Sequence, residues 1–315
     1  MTVDEWLRTP YTRDPVRRRT YPDDVYFRET AALLGRQETD CANRALLRST
    51  FVMFKPDAIV GRRVEPALAF LARHGFRPLG ALEAEVDARV CRELWRYQIN
   101  AAPLAVIRAV DMILESGPPC LIVGLRDMRA PEKSGTTAAE RLAELKGSSK
   151  SRAARELSLR EALGCELMCL NFVHAPDDPA DLIREIGVLT GRRREEAFAM
   201  LAAEAAPHRA AEAGTAAREL YAAHPAHALA RPEAAARPHR PADSAAALAQ
   251  VEQLDASGEG IELWDRIVLA AELVEGLPSE GRPLIAAPPG RRRGHPWATP
   301  PAAIPPTAPG AVSDQ

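Results

Sequence analysis

Between Thr50 and Leu189 the hydrophobic positions change period several times, and each change marks an element. Thr50-Phe51-Val52-Met53-Phe54 is β-branched and aromatic and stops at Lys55-Pro56-Asp57, the pattern of a strand entering a turn. Val64, Ala67, Leu68 and Leu71 then recur at helical spacing up to His74, and Gly75 stands where a helix ends. Residues 76–86 predict a second strand; Asp87 caps a helix running to Tyr97 through Val90 and Leu94. An amphipathic helix follows over 103–114, and Ser116-Gly117-Pro118-Pro119 breaks it before the apolar strand Cys120 to Leu125. Charged, alanine-containing helices are predicted over 136–145 and 150–163, a fourth strand over 166–173 and a closing helix over 179–188. Strands joined by crossovers in this order predict a small α/β sandwich built on one sheet.

Outside that block the texture differs. Residues 1–48 are mostly polar, with the run Arg17-Arg18-Arg19 and a short apolar helix candidate from Thr30 to Leu34. Residues 192–240 are Ala, Arg, Glu and His, predicting exposed helices that bury little. One well-patterned helix is predicted from Ile261 to Val274, with Trp264, Ile267, Val268 and Ala271 on one face. From Gly276 the chain is proline-rich, carries Arg291-Arg292-Arg293, and is expected to be disordered or extended. The expected divisions are therefore an N-terminal extension over 1–48, a folded domain over 49–190, a helical extension over 191–275 and a tail over 276–315.

Charge and cysteine usage narrow the function classes. With 41 basic and 43 acidic residues the net charge is −2, so no global field draws in nucleic acid or an acidic membrane. No run of ~18 apolar residues occurs, and the first residues carry acids where a signal peptide carries lysines. The five cysteines include no CxxC pair, which points to a reducing compartment, the cytoplasm. Cys165 and Cys169 read as buried thiols, and the scattered histidines of the C-terminal half as surface residues, rather than as metal ligands.

Two phrases carry chemistry. Lys55 ends a strand at a proline turn, which sets a point charge at the sheet rim; it suits a phosphate, or simply water. In Asn171-Phe172-Val173-His174-Ala175-Pro176-Asp177 a histidine ends an apolar strand, with an amide three residues before and a carboxylate three after. Together the two phrases resemble the nucleoside diphosphate kinase family, which opens with a strand ending in Lys-Pro-Asp and closes with Asn-x-x-His-Gly/Ala-Ser-Asp. His74-Gly75-Phe76, Ser116-Gly117-Pro118, Ser158-Leu159-Arg160 and Glu185-Ile186-Gly187 also match in chain order, so the resemblance covers roughly residues 49–190.

The resemblance implies a ferredoxin-like α/β sandwich with an antiparallel four-stranded sheet. It implies transfer of the γ-phosphate of a nucleoside triphosphate to a nucleoside diphosphate, through a phosphohistidine on His174. Imidazole suits that role because its pKa of about 6.5 lets it both accept and release a phosphoryl group near neutrality. By the same resemblance Glu185 holds the other ring nitrogen, while Lys55, Arg141 and Arg160 clamp phosphate oxygens and Asn171 contacts the sugar. Tyr97 falls near the family's phosphate-contacting tyrosine, with Trp95 equally available, and Ser148 is the hydroxyl nearest to its phosphate-touching threonine. Mg²⁺ is expected on the nucleotide, with Asp177 orienting it through water, and a homo-oligomer is expected as well. The chain departs from the pattern at Pro176, where the family has serine, and at Leu104, near where an aromatic stacks on the base. These departures and the long extension keep a second class open, a catalytically weak nucleotide-binding protein with a regulatory or interaction role.

Overall fold

A computed structural model describes residues 11–34, 46–129, 136–147, 158–233, 241–257 and 260–285. Four strands, β1 (Ser49–Phe54), β2 (Phe76–Ala84), β3 (Cys120–Asp127) and β4 (Val173–His174), form one sheet in the order β2-β3-β1-β4. Every neighbouring pair is antiparallel, with Val52 opposite Val123 and Met53 opposite His174. This is the antiparallel four-stranded sheet expected of the ferredoxin-like sandwich.

All six residues of β1 are buried, because helices cover both faces of the sheet. On one face Val52, Phe54, Leu121 and Val123 meet the helix Val64–Arg73 through Phe70 and Leu71. On the other, Phe51, Met53 and Ile122 meet the helix Pro179–Thr190 through Leu182, Ile183 and Ile186. The alternation of β1 side chains thus feeds two cores, and the short stretch Thr50–Phe54 specifies both. The remaining helices of the sheet domain are Pro56–Val60, Ala88–Leu94, Leu104–Glu115, Ala138–Lys146 and Leu159–Ala162. Capping boxes at Thr137–Glu140 and Ser158–Glu161 begin the last two.

The expected fourth strand over 166–173 shrinks to two residues. Phe172 sits at φ +63°, a left-handed conformation that interrupts a ladder, and its N–H donates to Asp57 Oδ2 at 2.8 Å instead of to a neighbouring strand. Its carbonyl accepts the Lys55 N–H at 2.9 Å. The strand's apolar composition is real, but side-chain bonding from the Lys-Pro-Asp turn claims the backbone.

The expectation that 192–240 buries little is also corrected. Helices Arg194–Ala202 and Pro207–Ala223 bury Phe198, Met200 and Leu201, and Ala213, Ala217 and Leu220, against the sheet. Small residues make this contact by close approach. At Gly124 a Cβ would lie 3.1–3.3 Å from three atoms of Met200. Helix Ser244–Ala256, capped by Asp243, and helix Leu263–Leu273 complete the chain's C-terminal half. Trp264, Ile267, Val268 and Ala271 are buried, as their spacing predicted, in a cluster with Val106, Ala109 and Ile113 of helix Leu104–Glu115. Beyond it, the Glu280 N–H donates to the Ala101 carbonyl and the Ile285 N–H to that of Tyr97, each at 3.1 Å, so residues 280–285 are tied to the sheet domain. The second arginine run and most of the proline-rich segment lie outside the described residues. Among the described residues no helix is long and apolar enough to cross a membrane.

Candidate active site

The turn that disrupts the fourth strand also places its histidine. Once Phe172 has turned, Val173 and His174 rejoin the sheet beside Phe54 and Met53, and the chain then enters helix Pro179–Thr190. Asp178 caps that helix by accepting the Asp181 N–H at 2.9 Å, with Pro179 in the first turn. Glu185 lies on the helix face turned back to β4, and its Oε2 stands 2.8 Å from His174 Nε2. On the opposite side of the ring the Trp95 indole nitrogen faces His174 Nδ1 at 3.4 Å, the two rings crossing at 82°.

While Glu185 is ionised, these contacts select one tautomer. Indole is a donor only, so Nδ1 carries the lone pair, the ring proton sits on Nε2, and Glu185 accepts it. Burial holds the His174 pKa well below the usual imidazole range, and the Lys146 cation adds to the shift. Burial pushes the Glu185 carboxyl well above its ordinary value, with the Asp181 and Asp177 charges acting the same way and Lys146 and Arg184 opposing. A neutral imidazole with its lone pair on Nδ1, here facing the Trp95 indole, has the electronic form of a nucleophile.

Three of the expected cationic and amide side chains gather around this strand. Lys55 Nζ donates to the Cys169 carbonyl at 2.8 Å and stands 3.6 Å from Asp57. Arg160 donates to the carbonyls of Val173 at 2.8 Å and Gly147 at 3.1 Å, and lies 3.5 Å from Asn171 Oδ1. Its Nε is buried without a hydrogen-bond partner, and burial lowers its pKa. Asn171 Nδ2 donates in turn to the Met168 carbonyl.

The structure places two expected residues elsewhere. Arg141 pairs with Asp127 at 2.5 Å, donates to the His74 carbonyl and covers the Phe76 ring. That is the end of β3 remote from His174, since Asp127 is five residues beyond Ile122, the β3 residue level with Met53. Tyr97 points its hydroxyl at Asp24 Oδ2, 2.9 Å away, and burial raises its pKa to about 12. Trp95, which caps the C-terminus of helix Ala88–Leu94, is the aromatic at the histidine. Ser148 lies outside the described residues, and Leu104 is largely exposed at the start of its helix. Lys146, which sequence reasoning passed over, donates to the Ala175 carbonyl at 2.8 Å and pairs with Asp177 at 3.6 Å. Its signal was available: it is the last lysine of a helix whose capping box is legible at Thr137.

Asp177 is a poor holder for a metal ion. Its carboxylate faces Lys146 at 3.6 Å and Arg17 at 3.8 Å, two cations a Mg²⁺ would have to displace or repel. A separate group, His227, Glu262 and Asp265, gathers three possible ligand atoms. The Leu229 N–H donates to His227 Nδ1 at 2.9 Å, which leaves the ring proton on Nε2 toward Asp265. That tautomer denies a metal the nitrogen, so the group is a hydrogen-bond bridge between segments.

Residues 48–194 match the family model for nucleoside diphosphate kinase. Among solved structures, the Aquifex aeolicus nucleoside diphosphate kinase is 22% identical over 46% of this chain and 96% of its own, with a TM-score of 0.36. A halophilic nucleoside diphosphate kinase from Halobacterium salinarum in complex with CDP is 19% identical over 40% and 75% of the two chains, with a TM-score of 0.33. The Borrelia burgdorferi nucleoside-diphosphate kinase with bound vanadate and ADP is 18% identical over 45% and 86%, with a TM-score of 0.35. No curated protein sequence gives a significant match.

Proposed function

We propose that this chain, whose residues 48–194 are a nucleoside diphosphate kinase family domain, moves the γ-phosphate of a nucleoside triphosphate to a nucleoside diphosphate through a phosphohistidine on His174. The observation that carries the reading is the polarised imidazole, with Nε2 held 2.8 Å from Glu185 and Nδ1 facing the Trp95 indole nitrogen at 3.4 Å.

In the first half-reaction the Nδ1 lone pair attacks the γ-phosphorus. A P–N bond forms, the bond from phosphorus to the bridging oxygen breaks, and the nucleoside diphosphate leaves with that electron pair. The ring gains positive character while its proton stays on Nε2, and the Glu185 carboxylate offsets the charge. A second nucleoside diphosphate reverses the step, its terminal phosphate oxygen taking the phosphoryl group and returning the lone pair to Nδ1. Trp95 has to leave the Nδ1 face for phosphorus to reach bonding distance. Lys55 and Arg160 supply positive charge next to the strand; a divalent cation bound with the nucleotide would supply further charge neutralisation at phosphate oxygens.

A specific observation favours the second class, a nucleotide-binding protein of weak turnover. Lys55 and Arg160 are both buried and already donate to backbone carbonyls, Lys55 to that of Cys169 and Arg160 to those of Val173 and Gly147, so neither is idle before a nucleotide arrives. Incubating the chain with a nucleoside triphosphate and a different nucleoside diphosphate separates the two readings. Exchange with parallel double-reciprocal lines, the pattern of a ping-pong cycle, supports the phosphotransferase; binding without exchange selects the second class.

A further inference from the structure

The side chains that hold the Glu185 helix from outside belong to a segment beyond the family-matched residues. Arg17, in the short helix Pro15–Thr20, is 1% exposed. Its Nε and Nη2 donate to the two carboxylate oxygens of Asp181 at 2.9 and 2.8 Å, a two-pronged pair, and its Nη1 donates to Asp14 at 2.8 Å. The Tyr21 hydroxyl donates to Asp181 as well, and Thr12 donates to Asp178 at 2.6 Å. Asp181 and Glu185 are four residues apart on one helix, hence neighbours on one face.

We propose that Arg17 is a positioning residue for the His174–Glu185 pair, pairing with Asp181 so that Glu185 remains a carboxylate that accepts the Nε2 proton of His174. The catalytic meaning of this rests on the phosphohistidine reading; its effect on the His174 tautomer does not.

Charge decides the outcome. Glu185 meets His174 of β4 and feels Asp181 and Arg184 of its own helix, Asp177 just before that helix and Lys146 of helix Ala138–Lys146; Arg160 acts on His174, and Arg17, Tyr21 and Asp178 act on one another and on Asp181. Arg184 is itself spent on Asp24, at 2.7 Å. Two buried carboxylates one turn apart do not both ionise cheaply, and without a cation a proton settles on one of them. A proton on Glu185 turns it from acceptor to donor. The imidazole must then offer Nε2 as acceptor and carry its proton on Nδ1, where it opposes the Trp95 N–H and removes the attacking lone pair. Burial and Asp181 already push Glu185 in that direction, so the Arg17 charge bears on a poised equilibrium. A guanidinium fits the role better than an ammonium because its fork engages both Asp181 oxygens in one plane.

The test uses the full chain with ¹⁵N-labelled histidine, the His174 signals being assigned by their loss in His174→Ala. Wild type is expected to show the proton on Nε2 at pH 7. In Arg17→Met the proton is expected to move toward Nδ1 at pH 7, the Nε2 form returning only at a pH higher by about one unit or more, tenfold in proton affinity. Arg17→Met/Asp181→Asn removes both charges and should restore the wild-type tautomer, an outcome a purely structural role for Arg17 does not give. Phosphate uptake from ATP should fall about tenfold in the single variant and recover in the double. A folded Arg17→Met with the wild-type tautomer, or a folded double variant no better than the single, overturns the proposal. Should Arg17→Met not fold, Arg17→Lys decides: an intermediate displacement supports the proposal and an unchanged titration contradicts it. Failure of wild type to take up phosphate would count against the phosphohistidine reading alone, because the tautomer is read independently.

Discussion

Two segments flank the sheet domain, and they differ in how much buried charge their attachment carries. The N-terminal segment packs Phe27, Ala31 and Leu34 in one core with Leu182, Ile183 and Ile186, and adds buried ion pairs to the Glu185 helix: Arg17 on Asp181, and Asp24 on Arg184, which also lies over the Tyr97 ring. Close approach makes this possible, since a Cβ at Gly187 would stand 2.3 Å from the Thr30 hydroxyl of helix Val25–Leu34. The C-terminal helices dock through apolar and small side chains, with Ala247, Val251, Ile267 and Ala271 against Val106 and Ala109. There Trp264 reaches the Ser-Gly-Pro break, where a Cβ on Gly117 would lie 2.6 Å from Pro56. An apolar contact is non-directional and tolerates small changes of shape. A buried ion pair contributes little net energy over an apolar pair but tolerates the loss of neither partner. The charged contact sits on the helix of the candidate site and the apolar one on its far neighbour, so the part of the molecule that needs defined geometry has the more exacting attachment.

That contrast can be broken by removing one partner at a time. Asp24→Ala strands the Arg184 guanidinium in a buried environment and is expected to cost ~3–5 kcal/mol, read as a lower urea midpoint. Arg184→Met in the same chain should return much of the loss, since it is the unpaired charge that costs. On the apolar side Ile267→Val should cost only about 0.5–1.5 kcal/mol, and the same urea series measures it. Equal losses at the two sites would erase the distinction.

Ionisation in the Glu185 helix responds to pH. Glu185 must be ionised to accept from His174, and its pKa is raised by burial and by Asp181 and Asp177. The rate of phosphate transfer should therefore rise with pH along a limb displaced upward from the ordinary carboxylate range. A limb near pH 4 would contradict the buried pair. A smaller effect concerns stability. Burial, with Asp181, pushes Asp178 up to about 7. An acid whose folded pKa lies above its unfolded value binds its proton more tightly when folded, so its contribution is largest below about pH 4 and is lost as pH rises through about 7. The thermal midpoint should climb between pH 8 and pH 6, and Asp178→Asn, which keeps the cap, should flatten that climb.

Much of this was legible in the residues. Helix boundaries followed from Asp87 and from the period of Trp264, Ile267, Val268 and Ala271, whereas the helix expected over 150–163 is described only from the Ser158 capping box onward, residues 150–157 lying outside the described residues. Lys55, Arg160, Asn171, His174 and Glu185 come together around one short strand, where their motifs suggested. What escaped was set by partners distant in the chain. Apolar composition at 166–172 reads as a strand, but the Asp57 carboxylate takes the Phe172 N–H and turns the backbone. Alanine and glycine read as weak burial, yet they let the helices of 194–223 approach the sheet closely enough to bury Met200. Arg141 and Tyr97 have the right chemistry, but Asp127 and Asp24 claim them. Arg17 stands in a run of three arginines, and nothing local distinguishes it from Arg18 and Arg19.

The central claim is that His174 carries the transferred phosphate on Nδ1. Incubation of the full chain with ATP labelled at the γ-phosphate, followed by mapping of acid-labile, base-stable phosphate on the protein, tests it directly. One labelled site at His174 is expected, discharged on addition of a nucleoside diphosphate and absent from His174→Ala, which should still bind ATP within about a few-fold of wild type because the imidazole makes its bond in the reaction rather than in the ground state. Label that persists in His174→Ala, or that appears at another residue, contradicts the account.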